Sequence, residues 1–170
     1  GYIGKWHLYG NCSDHADPEC AFIPPDHHRL GFDGEWKAYN FWHKYLEAFY
    51  FEDTPEKIFY PEGAYEPEEQ TRFAIDFIDK AVSDKSKPFA LFLSYGVPHD
   101  PWTRENVPGK YYDMFSEADF RLPETWSDVT DRYMDRFKDS TRWVDYYKPG
   151  IPEMKRVYYA MVTSMDDCVG

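Results

Sequence analysis

The sequence contains few cysteines, fewer basic than acidic residues, and no long apolar run. Its three cysteines, Cys12, Cys20 and Cys168, are too few for a disulfide-rich scaffold. No apolar stretch reaches the roughly 18 residues that a transmembrane helix needs, so no membrane span is predicted. The 19 Lys and Arg against 31 Asp and Glu give a formal net charge of −12. Such a surface repels phosphate backbones, which argues against nucleic-acid binding.

Aromatic residues make up 20% of the 170 residues. The length is sufficient for one domain with a hydrophobic core. Tyrosine and tryptophan rings have flat faces and a polar edge, which suits sugar binding, but the same rings can fill a core. The composition leaves both possibilities open, and no internal repeat is present.

The chain opens with "GYIGKWHLYG" and has no initiator methionine, so we expect it to be a piece of a longer protein. If this stretch is the end of a strand, Lys5 and His7 point to one face and Trp6 to the other. Gly1 and Gly4 would allow a close approach of backbones. A lysine beside an imidazole suits an anion such as sulfate or phosphate. The alternative is an ordinary surface lysine and histidine.

The segment "EPEEQTRFAIDFIDKAVSD", residues 66–84, is the clearest helix in the sequence. Pro67 and three glutamates suit its first turn, where free N–H groups favour negative charge. Its apolar residues recur at steps of three and four and form one stripe. They are Phe73, Phe77, Ile78, Ala81 and Val82.

The next segment, residues 89–93, is a continuous apolar run that predicts a strand buried on both faces, as in a parallel sheet flanked by helices. Residues 100–150 are charged and aromatic, and we expect a surface excursion with short helical pieces. Residues 152–170 predict a second helix, with Val157, Met161, Met165 and Val169 near one face. A helix followed by a buried strand indicates an α/β layer.

His99 follows this strand, between Pro98 and Pro101. Ligands of open α/β sheets bind at the carboxyl ends of strands, so His99 is a candidate site residue. The alternative is a capping histidine in a tight loop. Trp102, three residues further on, could form a sugar-stacking rim or simply pack the loop.

One Cys- and His-rich stretch suggests metal binding only weakly. It contains Cys12, His15, Cys20, His27 and His28. The stretch lacks the short Cys pair typical of zinc sites, so a Cys12–Cys20 disulfide or an ordinary polar loop are the alternatives. Asp166 and Asp167 are adjacent on a predicted helix and point in different directions, which favours a solvated face.

Three segments together carry a family resemblance. "GYIGKWHLYG" resembles the second signature of the sulfatases, built around G-K-W-H-x-G. "LFLSYGVPHDPW" resembles their strand with a P-H-x-P loop, and "YYAMVTSMDDCVG" resembles the helix before their Asp-Asn metal motif. The three segments occur in the family's order and span the chain. The resemblance implies an alkaline-phosphatase-like α/β domain with a mixed sheet between helices, of which residues 1–170 would be the middle part.

The resemblance also implies a reaction, the hydrolysis of sulfate monoesters. In the family, a Cys or Ser in C/S-x-P-S-R becomes formylglycine, whose hydrate attacks sulfur, and calcium polarises the sulfate. The matched lysine, Lys5, would bridge the sulfate and the formylglycine. The matched histidine His7 would hydrogen-bond the formylglycine hydroxyl, and His99 would contact sulfate and protonate the leaving alcohol.

This sequence departs from the family pattern because it contains no C/S-x-P-S-R. The nucleophile and the calcium ligands are therefore expected outside these residues, and no metal site is expected within them. Carbohydrate sulfates are the preferred substrate class, ahead of aryl sulfates, and an exported location is expected at the family level. The rival interpretations are a phosphonate or phosphate monoester hydrolase of the same superfamily and a non-catalytic sugar-binding relative.

Overall fold

The computed structural model describes residues 1–10, 21–122, 124–126 and 148–170. In these ranges three strands form a parallel sheet and two form a small antiparallel pair. The strands are β1 (Tyr2–Lys5), β2 (Trp36–Tyr39), β3 (Phe49–Tyr50), β4 (Ile58–Phe59) and β5 (Phe92–Ser94); the helices are α1 (Glu66–Ser83), α2 (Gly109–Tyr112) and α3 (Ile151–Val169). Helix α1 packs on the sheet and α3 packs on α1, which confirms the predicted α/β class.

Strand β1 lies between β2 and β5, and both pairings are parallel. At Gly4 the backbone of β1 comes so close to β5 that a Cβ atom would lie 2.0 Å from the carbonyl oxygen of Ser94. Gly4 also has a φ of +109°, which only glycine adopts readily, so the predicted role of this glycine is confirmed. Because the strands are parallel, their carboxyl ends meet at one edge of the sheet.

Helix α1 begins at Glu66 with Pro67 and the acidic residues in its first turn, as predicted. Its apolar stripe is only partly covered, however, since Ile78 and Val82 are 41% and 54% exposed. The buried positions are Glu66, Pro67, Gln70 and Ala74, in the first half of the helix. Apolar periodicity identifies a helix face but does not show how much of it other elements cover.

The prediction of a strand buried on both faces at residues 89–93 is wrong. Strand β5 is shifted to Phe92–Ser94 and pairs with β1 alone among the described residues, so it lies at an edge of the sheet there. Phe89 and Phe92 are 47% and 57% exposed. The apolar run indicates which residues favour burial, but the burial itself requires neighbours on both faces.

Most of the large aromatic side chains pack against one another in the protein core. Tyr2, Trp6 and Trp36 pack edge-to-face or stacked beneath the sheet, with ring centroids 4.8–5.3 Å apart. A second cluster joins α3 to the loops after β2 and β5; its core members are Tyr45, Tyr65, Val97, Val107, Tyr111, Val157, Ala160 and Met161. Of the alternatives left open by composition, the core accounts for these rings.

Helix α3 confirms the second predicted helix: Val157 and Met161 are fully buried, although Val169 is 75% exposed. The excursion after His99 contains the expected short helical pieces, α2 and two 3₁₀ turns, up to residue 122. Asp166 and Asp167 are exposed, as expected. None of the helices seen in these ranges is long and apolar enough to cross a membrane.

Candidate active site

Three polar side chains converge at the carboxyl ends of the parallel strands. The Nζ atom of Lys5, the last residue of β1, lies 2.8 Å from Nε2 of His43, which follows β2. The ring of His43 stacks on that of His99, which follows β5, with centroids 4.3 Å apart and planes 26° from parallel. The carboxyl ends of three neighbouring strands thus contribute one side chain each to a single cluster.

Lys5 is held at this edge by its neighbours in β1. The backbone N–H of Trp6 donates to the carbonyl of Tyr39 at 2.8 Å, which continues the pairing with β2. The Tyr2 hydroxyl donates to the carbonyl of Lys5 at 2.6 Å. Burial lowers the pKa of Lys5, while the charge of Asp100, and that of Glu66 when it is ionised, oppose that shift. The lysine is therefore a partly desolvated cation, whose attraction for an anion is stronger than at an open surface.

His7 lies beside this cluster, but not for the predicted reason. It has a φ of 52° and follows the end of β1, so it does not share a strand face with Lys5. Its ring contacts the edge of Phe41 at 5.0 Å, and the Phe41 ring lies 5.3 Å from Nζ of Lys5. The exposed His7 ring is therefore on the same side of the sheet as the cluster.

His99 is fixed by both its side chain and its backbone. Its Nδ1 atom lies 2.7 Å from Oδ1 of Asp100, which leaves Nε2 to face a ligand. Its backbone N–H donates to Gly96, and its carbonyl accepts from the Tyr45 hydroxyl at 3.1 Å. The side chain is 46% exposed, so a bound molecule can reach it.

Sequence reasoning missed His43, because it lies in an aromatic stretch without a clean period or a motif. Burial is the first cause that lowers its pKa to about 4, and Lys5 and His99 add to the effect. His43 is therefore neutral near pH 7, and its Nε2 can accept a hydrogen bond from the Lys5 ammonium. The amide of Asn106 donates to the carbonyls of His43 and Pro101, at 3.2 and 3.1 Å, and so joins this loop to the His99 loop.

Glu66 is the second residue that the sequence did not single out, and it lies fully buried behind the Lys5 loop. Its Oε1 atom accepts a 2.8 Å hydrogen bond from the Tyr39 hydroxyl. Burial raises the pKa of this carboxyl to about 8. The signal in the sequence, a glutamate at the first helical position, is indistinguishable from that of an ordinary capping residue.

Trp102 lies next to the cluster but is held by the loop. Its Nε1 donates to the carbonyl of Pro98 at 2.9 Å, and its ring contacts Tyr158 edge-on at 6.1 Å. The side chain is 36% exposed. The geometry thus gives Trp102 a packing role and also leaves part of its ring at the surface.

The described residues of the cluster do not fit a calcium ion. Calcium prefers six to eight oxygen ligands, whereas the cluster has a lysine at its centre and one carboxylate, Asp100, that is paired with His99. Over the described residues, the metal-compatible grouping is Asp26, His27 and His28, on an exposed turn. Cys12, His15 and Cys20 lie outside those residues, so neither the zinc nor the disulfide alternative is tested.

Comparison with known proteins identifies the family. The family model for sulfatases matches residues 1–170. A structure of yidJ from Bacteroides fragilis, a protein assigned to the sulfatases, is similar with a TM-score of 0.65 and 29% identity over 99% of this chain. A protein from a Bacteroides thetaiotaomicron locus for the metabolism of multiple glycosaminoglycans shares the fold, with a TM-score of 0.66 and 19% identity over 99% of this chain.

The chain spans 35% and 34% of the lengths of these two proteins. No curated protein sequence matches it. The family match covers the whole chain, and the segments that carry the G-K-W-H and P-H-x-P motifs are those that meet at the carboxyl edge of the sheet. The chain belongs to the sulfatase family.

Proposed function

We propose that this chain provides part of the catalytic site of a sulfuric ester hydrolase that cleaves sulfate monoesters. The observation that carries the proposal is the convergence of Lys5 and His99, through His43, at the carboxyl ends of β1, β2 and β5. Ligands of open α/β sheets bind at such an edge. A cation and two imidazoles at this position suit a tetrahedral dianion.

Each residue has a definite chemical task in this proposal. The Lys5 ammonium binds a sulfate oxygen and stabilises the negative charge that develops during transfer, because a fixed, partly desolvated cation needs no reorganisation. His99 donates a proton from Nε2 to the leaving oxygen, which would otherwise depart as an alkoxide. Asp100 holds Nδ1 of that ring and so fixes its direction. His7 would hydrogen-bond the nucleophile from the exposed side.

The nucleophile and the metal are proposed to come from other parts of the protein. No C/S-x-P-S-R motif occurs in these 170 residues, and the cluster does not fit calcium. In the family, formylglycine supplies the attacking hydrate and calcium polarises the sulfate. We propose residues 1–170 as the middle part of a single catalytic domain, in an exported enzyme.

Carbohydrate sulfates are the proposed substrate class. A cleft of about 260 Å³ lies beside the His99 loop, lined in part by Lys44, Glu47, Thr103 and Asn106. Its charged side chains, Lys44, Glu47 and Glu105, suit hydrogen bonds to sugar hydroxyls, and its largely apolar remainder suits the face of a sugar ring. The exposed part of Trp102 lies on the same loop and could contact an apolar sugar face.

The test is turnover by the whole protein of matched sulfate, phosphate and phosphonate monoesters of one alcohol. We expect the sulfate ester to be preferred, and Lys5→Met to lower kcat/KM by about 10²–10³-fold, as for the loss of one preorganised charge-stabilising group. Lys85→Met is the control, since that lysine is exposed after the end of α1 and lines no part of the cluster or the cleft. Preference for the phosphate or phosphonate ester, or sugar binding without turnover, would support the rivals instead.

A further inference from the structure

We propose that His43 is a positioning residue for Lys5 and His99: its Nε2 atom accepts a hydrogen bond from the Lys5 ammonium, and its ring stacks on that of His99. The inference rests on the proposed function, because it assumes that Lys5 binds the sulfate group. It assigns a role to a residue outside the motifs that identify the family.

His43 contacts Lys5 and His99 at the same time. Its Nε2 lies 2.8 Å from Nζ of Lys5, a normal length for a charge-assisted hydrogen bond. Its ring centroid lies 4.3 Å from that of His99, so the two rings are in van der Waals contact. Phe41 covers another side of the His43 ring at 4.4 Å. The side chain therefore has little freedom to leave either partner.

The backbone of His43 is fixed as firmly as its ring. Its carbonyl accepts from the buried amide of Asn106, which also binds the carbonyl of Pro101. The Asn106 oxygen accepts from the backbone N–H of Tyr45, two residues after His43. The loops after β2 and β5 are thereby joined both through backbone and through the stacked rings.

The charge state agrees with this role. A lysine ammonium can only donate, so the histidine nitrogen facing it must be an acceptor. His43 is neutral near pH 7, because burial lowers its pKa, and the Lys5 charge favours the neutral form further. Nε2 of His43, as the acceptor, in turn favours the protonated form of Lys5. This effect opposes burial, which lowers the pKa of the Lys5 amine.

Other charged groups also face this pair, and any pH profile must take them into account. They are His7, His99, Asp100 and Glu66. A lysine amine ordinarily titrates at alkaline pH, and the buried Glu66 carboxyl has a pKa of about 8. The pH dependence of sulfate binding is therefore measured in a Glu66→Gln background, which removes the Glu66 titration from the alkaline range attributed to Lys5.

Two substitutions separate the acceptor from the ring. Gln places its amide oxygen as many bonds from Cβ as Nε2 of histidine, so His43→Gln retains an acceptor for Lys5 and removes the aromatic ring. His43→Phe retains the ring and removes the acceptor. His43→Ala removes both, and thermal melting checks that each variant of the whole protein is folded.

The binding of inorganic sulfate, measured by calorimetry from pH 6 to 10, is the readout independent of turnover. We expect His43→Phe to weaken sulfate binding by about 10–100-fold, the range for a hydrogen bond to a charged group. The fall in affinity at alkaline pH should also begin at a lower pH than in the protein with His43, since Lys5 loses the acceptor that favours its charged form. His43→Gln should retain most of the affinity, and the pH at which its affinity begins to fall should be unchanged. If His43→Phe does not fold, the His43→Gln and His43→Ala pair makes the same comparison.

The outcomes separate this inference from the proposed function. Sulfate binding that depends on Lys5 but is unchanged in affinity and pH profile by His43→Phe would overturn the positioning role alone. Equal losses of sulfate affinity in His43→Phe and His43→Gln, with no change in the pH at which affinity begins to fall, would also overturn the positioning role. Such a result would indicate that His43 is purely structural. A wild-type protein that neither binds sulfate nor cleaves its esters would overturn the proposed function, and this inference with it.

Discussion

The hydroxyl of Tyr39 donates a 2.8 Å hydrogen bond to Oε1 of Glu66, and both side chains are fully buried. Tyr39 ends β2 and Glu66 begins α1, so the bond ties the sheet to the helix directly behind the Lys5 cluster. The Gln70 side chain and the Gly96 backbone also interact with this carboxylate and favour its charged form, but burial outweighs them. A charged carboxylate is costly in such a place, which explains why burial raises its pKa.

This carboxyl predicts a pH-dependent stability. The pKa of Glu66 is about 8 in the folded protein, against 4.5 ordinarily, so the folded state holds the extra proton between these values. The free energy of unfolding should therefore fall as pH rises from about 5 to 8, by up to about 1.4 kcal/mol per pH unit. Glu66→Gln retains an acceptor for Tyr39 and does not titrate. Its stability advantage over wild type should grow across this range in denaturant unfolding of the whole protein.

The comparison with Glu66→Gln also removes the contribution of His43. The lowered pKa of that histidine adds stability as pH rises from about 4 toward its ordinary value of 6.5, but it does so in both proteins. Glu62→Gln, at an exposed position, is the control for a change of net charge. A stability difference that does not change with pH would contradict a protonated Glu66.

We expect substitution of Asn106 to lower both the free energy of unfolding and the rate of turnover. Asn106→Ala leaves the carbonyls of His43 and Pro101 and the N–H of Tyr45 without their partner. The buried N–H of Tyr45 costs about 1–3 kcal/mol when left unpaired, and the two part-buried carbonyls cost less because water can reach them, so we expect a total loss of about 2–4 kcal/mol. Turnover should fall as well, measured well below the melting temperature, because the two loops lose their common anchor.

Two matched variants sharpen this prediction. Asn106→Asp retains the acceptor for the Tyr45 N–H but loses both donated hydrogen bonds, so it should be about as impaired as Asn106→Ala. Glu105→Ala, at the exposed neighbouring position, should melt like wild type. An Asn106→Ala protein that is destabilised but fully active would show that the anchor supports the fold and not the site.

The sequence predicts the elements better than their burial. Helix α1 and helix α3 follow from their apolar periods and first-turn prolines, since both signals are local. The burial of β5 does not follow, because exposure depends on neighbours that a single segment does not specify. Phe92 is apolar and strand-forming, yet it is 57% exposed at the edge of the described sheet.

The residues of the candidate site also differ in how far the sequence predicts them. Lys5 and His99 were identifiable because they lie in short motifs next to a strand. His43 and Glu66 were not, because each takes its role from contacts between elements far apart in the chain: His43 with Lys5 and His99, and Glu66 with Tyr39. The position of His7 was predicted from strand spacing, but its φ of 52° ends the strand geometry before that residue.

Gly96 predicts that the His99 loop tolerates no side chain at its base. A Cβ atom there would lie 2.6 Å from the Tyr39 hydroxyl oxygen, 2.8 Å from Cε1 of Tyr45 and 3.0 Å from Oε1 of Glu66. Gly96→Ala should therefore lower the free energy of unfolding by about 1–3 kcal/mol, as overpacking does. Gly34→Ala is the control, since its Cβ would meet its first neighbour, the Gly1 nitrogen, only at 3.9 Å. Equal melting temperatures for the two variants would contradict the close packing at Gly96.

His99 predicts a dependence on the leaving group. In the whole protein, His99→Ala should slow hydrolysis of a sugar sulfate by about 10²–10⁴-fold, the range for a positioned general acid. The loss should be much smaller for 4-nitrophenyl sulfate, because nitrophenolate leaves without a proton. Asp100→Asn should show a weaker form of the same pattern, since it retains the ring but removes the carboxylate 2.7 Å from Nδ1.

The matched control for His99→Ala is His27→Ala, which changes a histidine on an exposed turn outside the cluster. It should leave both rates unchanged. An equal loss for sugar and nitrophenyl esters in His99→Ala would contradict proton donation, because an acid matters in proportion to the basicity of the leaving oxygen. Such a result would leave His99 as a ligand of the sulfate group, and the proton for the alcohol would have to come from another residue of the whole enzyme.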